Sequence, residues 1–144
     1  VSPETSITAI AHVIQLAVAP VFLLSGIGAM LAVMTNRLAR VIDRARVLES
    51  LLQASPGDAG IHAQLATLSR RAALVGRSIT LCTITALLIC AVIAVLFLGA
   101  FLAFDASVAV ALLFVAAMVA FFAGLLSFLR EIFLATASLR IGAH

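Results

Sequence analysis

Lysine, tryptophan and tyrosine are all missing from this chain of 144 residues. Without Lys there is no P-loop lysine and no Schiff-base lysine, which removes two large groups of enzymes. Without Trp and Tyr there is no ordinary aromatic belt at a membrane boundary, because Phe has no polar tip. Charge is also scarce: 10% of the residues are charged, against about 25% in soluble domains. Cysteine is limited to Cys82 and Cys90. Both lie in an apolar run without CxxC spacing and are too few for a disulfide framework, so they read as small packing residues.

Apolar surface dominates what is present. Hydrophobic residues make up 65% of the chain and the mean hydropathy is +1.29. Soluble domains are about 45–50% apolar, and one small core cannot hide so much more. Lipid is therefore the expected solvent, and residues 1–144 read as a single membrane domain.

The chain opens on a helix start. Ser2 offers a capping hydroxyl, Pro3 suits the first helical position, and Glu4 puts an acid in the first turn. The stretch does not read as a signal peptide. No basic segment leads into the apolar run, and Ala17, Val18 and Ala19 are followed by Pro20. Three spans are expected, over residues 9–34, 79–104 and 106–129, each with the roughly 20 residues that a crossing helix needs.

Pro20 should kink the first span, since it cannot donate to the carbonyl of Leu16. His12, Gln15, Pro20 and Ser25 form a candidate polar lining. The alternative for His12 and Gln15 is interhelical hydrogen bonding. Ser25, Gly26, Gly28, Ala29 and Ala32 supply a small face, and further small stripes are Cys82, Ala86, Cys90, Ala94 and Ala116, Ala120, Gly124. These stripes suggest a homo-oligomer.

From Asn36 the chain reads NRLARVIDRARVLE. Leu38, Val41, Ala45, Leu48 and Leu52 alternate steps of three and four. Ser55, Pro56 and Gly57 then signal a turn, and Asp58 is a plausible cap. Ile61, Leu65, Leu68, Ala72 and Val75 repeat the alternation. Folding back at the turn pairs Leu52 with Ile61, Leu48 with Leu65, Ala45 with Leu68, Val41 with Ala72, and Leu38 with Val75. The fold class is therefore an all-α membrane protein of three transmembrane helices. The first two extend into an antiparallel coiled-coil hairpin over residues 36–78. Asp105 ends the second span and can cap the third, which begins near Ala106. Arg130 and Glu131 mark the exit of the third span, and the tail can stay helical until Gly142.

Arg37, Arg40, Arg44, Arg46, Arg70, Arg71 and Arg77 lie between the first two spans, and Arg130 and Arg140 follow the third. The opposite side carries only Glu4 and Asp105. The positive-inside rule then makes the hairpin and C-terminus cytoplasmic and leaves the N-terminus outside. Arg71 is expected opposite Arg44, and only Glu49, near His62, approaches a paired flank. Arg37, Arg40, Arg44, Arg71 and Arg77 are thus candidate contacts for an anion: a lipid headgroup, an acidic partner, or ions on a conduction path. Nucleic acid is not expected, because no aromatics interleave with the basic residues. No Gly-rich phosphate loop, HExxH or nucleophile elbow occurs, and the acids are too dispersed for a catalytic pair. Neither an enzyme nor a cofactor or metal is expected.

PVFLLSGIGAML (Pro20 to Leu31) followed by NRLARVIDRARVLE resembles a bacterial family of small membrane proteins, domain of unknown function number twenty-seven twenty-one. The resemblance covers nearly the whole chain and implies a bacterial inner-membrane location. It brings no catalytic or ligand residues. Two functions compete. One is a homo-oligomeric ion channel, with the first helix lining the path and an Arg-rich cytoplasmic mouth. The other is a non-conducting scaffold or accessory protein whose basic hairpin binds anionic lipid or an acidic partner.

Overall fold

The computed structural model describes residues 3–142, with side chains over 7–137. The expected cap Ser2, His144, and the side chains of Glu4 and Arg140 lie outside the described residues. The chain forms three helices: α1 (Pro3–Ala54), α2 (Ala59–Leu102) and α3 (Ser107–Gly142). Each is long and apolar enough to cross a membrane. With 52 residues and a rise of ~1.5 Å per residue, α1 far exceeds the ~30 Å of a hydrocarbon core. It runs without interruption through Pro20, which is buried.

The contacts divide the chain into two compact units. The first contains residues 1–30 and 82–122. Its buried face is made by Val13, Ala17, Pro20 and Ile27 on α1, by Cys82, Thr85, Ile89 and Val92 on α2, and by Ala117 on α3. The α2 residues follow steps of three and four. The outer faces are strongly apolar: Phe22 and Phe101 are each 73% exposed, and Leu87, Leu112, Val119 and Phe122 also face outward. Such a surface is unfavourable in water and suits contact with lipid or another apolar surface.

The expected small stripes do not coincide with the buried seam. Cys90, Ala94 and Ala116 are exposed, whereas Cys82 and Gly124 are buried. Residues four apart drift about 40° per step around a helix, so an i, i+4 stripe turns off a face that repeats every seven residues. On α1, a Cβ added at Gly26 or Gly28 would meet nothing within 4 Å. The small face of α1 is therefore open within one chain.

The α2–α3 turn is short. Ala103 adopts a left-handed conformation (φ 55°) and ends α2. Asp105 Oδ1 accepts hydrogen bonds from the Ser107 hydroxyl (2.6 Å) and the Ser107 backbone N–H (3.1 Å). These two bonds, the hydroxyl's first, hold the Asp105 carboxyl below its ordinary pKa. Their stabilisation is present above the unfolded carboxylate pKa and lost as pH falls through the lowered one. Gly99 lets the turn close, since a Cβ there would lie 3.1 Å from the Ala106 Cβ.

The second unit contains residues 31–81 and 123–144. Here the end of α1 packs against the start of α2. Val41, Leu48 and Leu68 form a buried cluster with Ala45, Ile61, Leu65 and Ala72 against it. All seven are among the positions expected to pack. Of the other three, Val75 is fully buried and Leu38 and Leu52 are half-buried. At the turn, Ser55 N–H donates to the carbonyls of Leu51 and Leu52, and Asp58 N–H donates to the Ser55 carbonyl. Asp58 Oδ1 caps α2 by accepting from Gly60 N–H (2.9 Å) and Ile61 N–H (3.3 Å), as expected of an N-cap acid. The His62 ring lies 3.2 Å from the Pro56 carbonyl oxygen, which ties it to the turn.

Ala103 yields a test of the turn. A left-handed conformation costs an L-residue about 1–2 kcal/mol, of which glycine's freer unfolded chain cancels part. Ala103→Gly should therefore stabilise the protein by about 0.5–1 kcal/mol in reversible unfolding from mixed micelles. A clear loss of stability would contradict the assigned conformation.

Candidate functional site: a buried carboxylate between two arginines

The second unit holds one fully buried acid, Glu131 of α3. A buried carboxylate is costly unless charge and hydrogen bonds compensate it. Arg37 of α1 donates from Nε to Glu131 Oε2. Arg71 of α2 donates from Nε to Oε1 at 3.0 Å. Each carboxylate oxygen thus has its own guanidinium, and all three helices contribute to the cluster. Among the described residues these are the only ion pairs. The Arg37 guanidinium also lies 5.9 Å from the centroid of the Phe128 ring, within cation–π range.

The surroundings satisfy their remaining polar groups locally. The Ser127 hydroxyl, one turn before Glu131, donates to the Ala123 carbonyl at 3.0 Å. The Ser78 hydroxyl donates to the Leu74 carbonyl at 3.0 Å. Among the described residues no buried side-chain nitrogen or oxygen lacks a partner.

The arrangement redistributes the arginines expected to bind an outside anion. Arg37 and Arg71 turn to Glu131, and their side chains are only 32% and 20% exposed. Arg40, Arg44 and Arg77 remain exposed. Arg71 was expected on the flank opposite Arg44; its ion pair is instead with α3. His12, Gln15 and Ser25 are exposed on α1, and Pro20 is buried. The Ser25 hydroxyl points back to the Val21 carbonyl at 3.5 Å. The described residues contain no group of three or more His, Cys, Asp or Glu able to hold a metal.

Glu131 was not singled out as a site residue from the sequence. A signal was nevertheless present. Ala117, Gly124 and Glu131 recur every seven residues and are all buried. On α2, Arg71 falls in the same spacing as the buried Ser78, Thr85 and Val92. Extending the burial period into the charged region would have aimed both side chains inward.

The fold and site define a class: an all-helical protein with three helices suited to crossing a membrane, joined at one level by an Arg–Glu–Arg cluster. A family model described as "Protein of unknown function (DUF2721)" matches residues 17–141. The chain belongs to that family. No curated protein and no solved structure matches it.

The cluster makes a direct prediction. Glu131→Gln leaves two partly buried guanidiniums facing one another without a counter-charge. Loss of one partner from a buried ion pair costs about 3–5 kcal/mol. The partial exposure of both arginines puts the expected loss toward the lower end of that range. Arg37→Gln and Arg71→Gln should each cost less, because Glu131 keeps one partner. Unfolding in detergent tests the order; Glu131→Gln as the mildest of the three would contradict it.

Proposed function

We propose that this is an integral protein of the bacterial inner membrane that acts as a non-conducting scaffold or accessory subunit. Three helices span the bilayer, with the N-terminus outside and the hairpin and C-terminus in the cytoplasm. The hairpin packs as an antiparallel coiled coil. It presents a basic surface to anionic lipid headgroups or an acidic partner. The open small face of α1 at Gly26 and Gly28 serves self-association into a homo-oligomer. No enzymatic step belongs to this reading.

The Glu131 cluster is the observation that carries it. Arg37 and Arg71 are spent on an internal carboxylate, which suits a fixed support better than a charged water path. Arg40, Arg44, Arg46, Arg70, Arg77 and Arg130 remain exposed, as a docking face requires. Arginine near a membrane surface pairs well with phosphate and carboxylate.

The exposure of His12, Gln15 and Ser25 on α1 favours a second reading. In a symmetric oligomer these side chains could line an axis, with Arg40 and Arg44 forming basic rings at its mouth.

Planar bilayers separate the two. Protein with verified incorporation should be electrically silent. Unitary currents whose reversal potential moves toward cations in Arg40→Gln, Arg44→Gln would decide for the channel. Orientation has its own test, in a Cys82→Ala, Cys90→Ala background. A cysteine replacing Ser55 should react with an impermeant thiol reagent only from the cytoplasmic side, and one replacing Ser2 only from outside. The reverse pattern would overturn the topology.

A further inference from the structure

An open groove of about 620 Å³ lies on the second unit between α2 and α3. Arg70 and Leu74 line it from α2, and Arg130, Phe133, Leu134 and Ala137 from α3. It is built from the sequence neighbours of the buried cluster. Arg71 turns inward to Glu131, and Arg70, beside it, lines the groove. Glu131 turns inward, and Arg130, beside it, lines the groove. The 3.0 Å Arg71–Glu131 contact therefore joins the two helices whose next residues supply both groove cations.

Among the described residues no acid lines this groove, and neither Arg70 nor Arg130 is in an ion pair. Two like charges held along one groove leave an anion as the missing complement. The remainder of the lining is apolar, and Phe133 is 64% exposed. A small inorganic anion would leave that apolar floor wet. An acidic peptide would set a polar backbone against it. A phosphate headgroup with an attached hydrocarbon chain satisfies both parts. The geometry points to a discrete binding site for an anionic phospholipid, with Arg70 and Arg130 on the phosphate, Leu74 on their membrane side against the start of the acyl chain, and Phe133 and Leu134 covering the headgroup region. The site rests on the reading that the basic surface meets anionic lipid, and not on whether the protein conducts ions.

Full-length protein in a neutral detergent, titrated with phosphatidylglycerol or phosphatidylcholine in mixed micelles, tests it by native mass spectrometry of bound lipid. Phosphatidylglycerol should be retained at least roughly tenfold better. Arg70→Gln with Arg130→Gln should reduce its retention about tenfold or more. Arg40→Gln with Arg46→Gln removes the same charge from the exposed basic surface outside the groove and should lower retention far less, by about threefold at most. Phe133→Ser should weaken retention while both arginines remain. Glycerol 3-phosphate and inorganic phosphate at millimolar concentration should not displace the lipid.

Four outcomes would overturn the site. They are full retention by the Arg70/Arg130 variant, an equal loss in the Arg40/Arg46 variant, displacement by the small phosphates, and displacement by poly-glutamate. All four arginines are exposed, so helical circular dichroism should be unchanged in both arginine variants.

Discussion

A carboxylate removed from water must be met by positive charge, and much of the second unit follows from that constraint. Glu131 is fully buried, with one guanidinium on each oxygen. The two arginines come from different helices, so one acid ties α3 to both α1 and α2. Buried ion pairs of this kind add little net stability over an apolar layer, because desolvation offsets their attraction. Their cost when broken is large, which makes them selective. A one-residue slip of α3 would exchange Glu131 for Arg130 or Ile132 and leave the cluster without its acid. The layer therefore acts on register more than on stability, as a polar residue does at a seam position between helices.

The same arrangement sorts the positive charge of the chain. Nine arginines and six acids give a formal net charge of +3. Arg37 and Arg71 are consumed internally, and the arginines left outside are the ones available to another molecule. Adjacent residues on one helix point in directions about 100° apart. Arg70 beside Arg71, and Arg130 beside Glu131, thus follow as outward partners of inward residues. In this way a structural ion cluster also sets the positions of the exposed cations.

Much of the architecture was legible from the sequence because its signals are local. The apolar runs mark three helices, Ser55 to Asp58 mark the first turn, and Asp105 marks the second. Steps of three and four from Leu38 to Val75 identified the residues that now form the Val41–Leu48–Leu68 cluster and its neighbours. The Glu131 cluster was not legible in the same way, because it joins residues 94 and 60 positions apart. Arg71 was assigned to a flank because Ala72 beside it fits the two-helix seam. Both fit once a third helix packs there, with Ala72 against α1 and Arg71 against Glu131. The small stripes do not mark the seam within one chain for a geometric reason visible in Cys90 and Ala94, both exposed: four-residue spacing leaves a seven-residue face. The left-handed Ala103 carried no signal, since alanine is not a residue that favours that conformation.

The most direct test is a double-mutant cycle between positions 71 and 131, in detergent where unfolding is reversible. Wild type, Arg71→Gln, Glu131→Gln and the double variant would be compared. If Glu131 is held by Arg71, the double variant should be less destabilised than the two single losses predict together, with a coupling of about 1 kcal/mol or more. Additivity within about 0.5 kcal/mol would mean that the two side chains act independently. The buried carboxylate would then not be what joins α3 to α2.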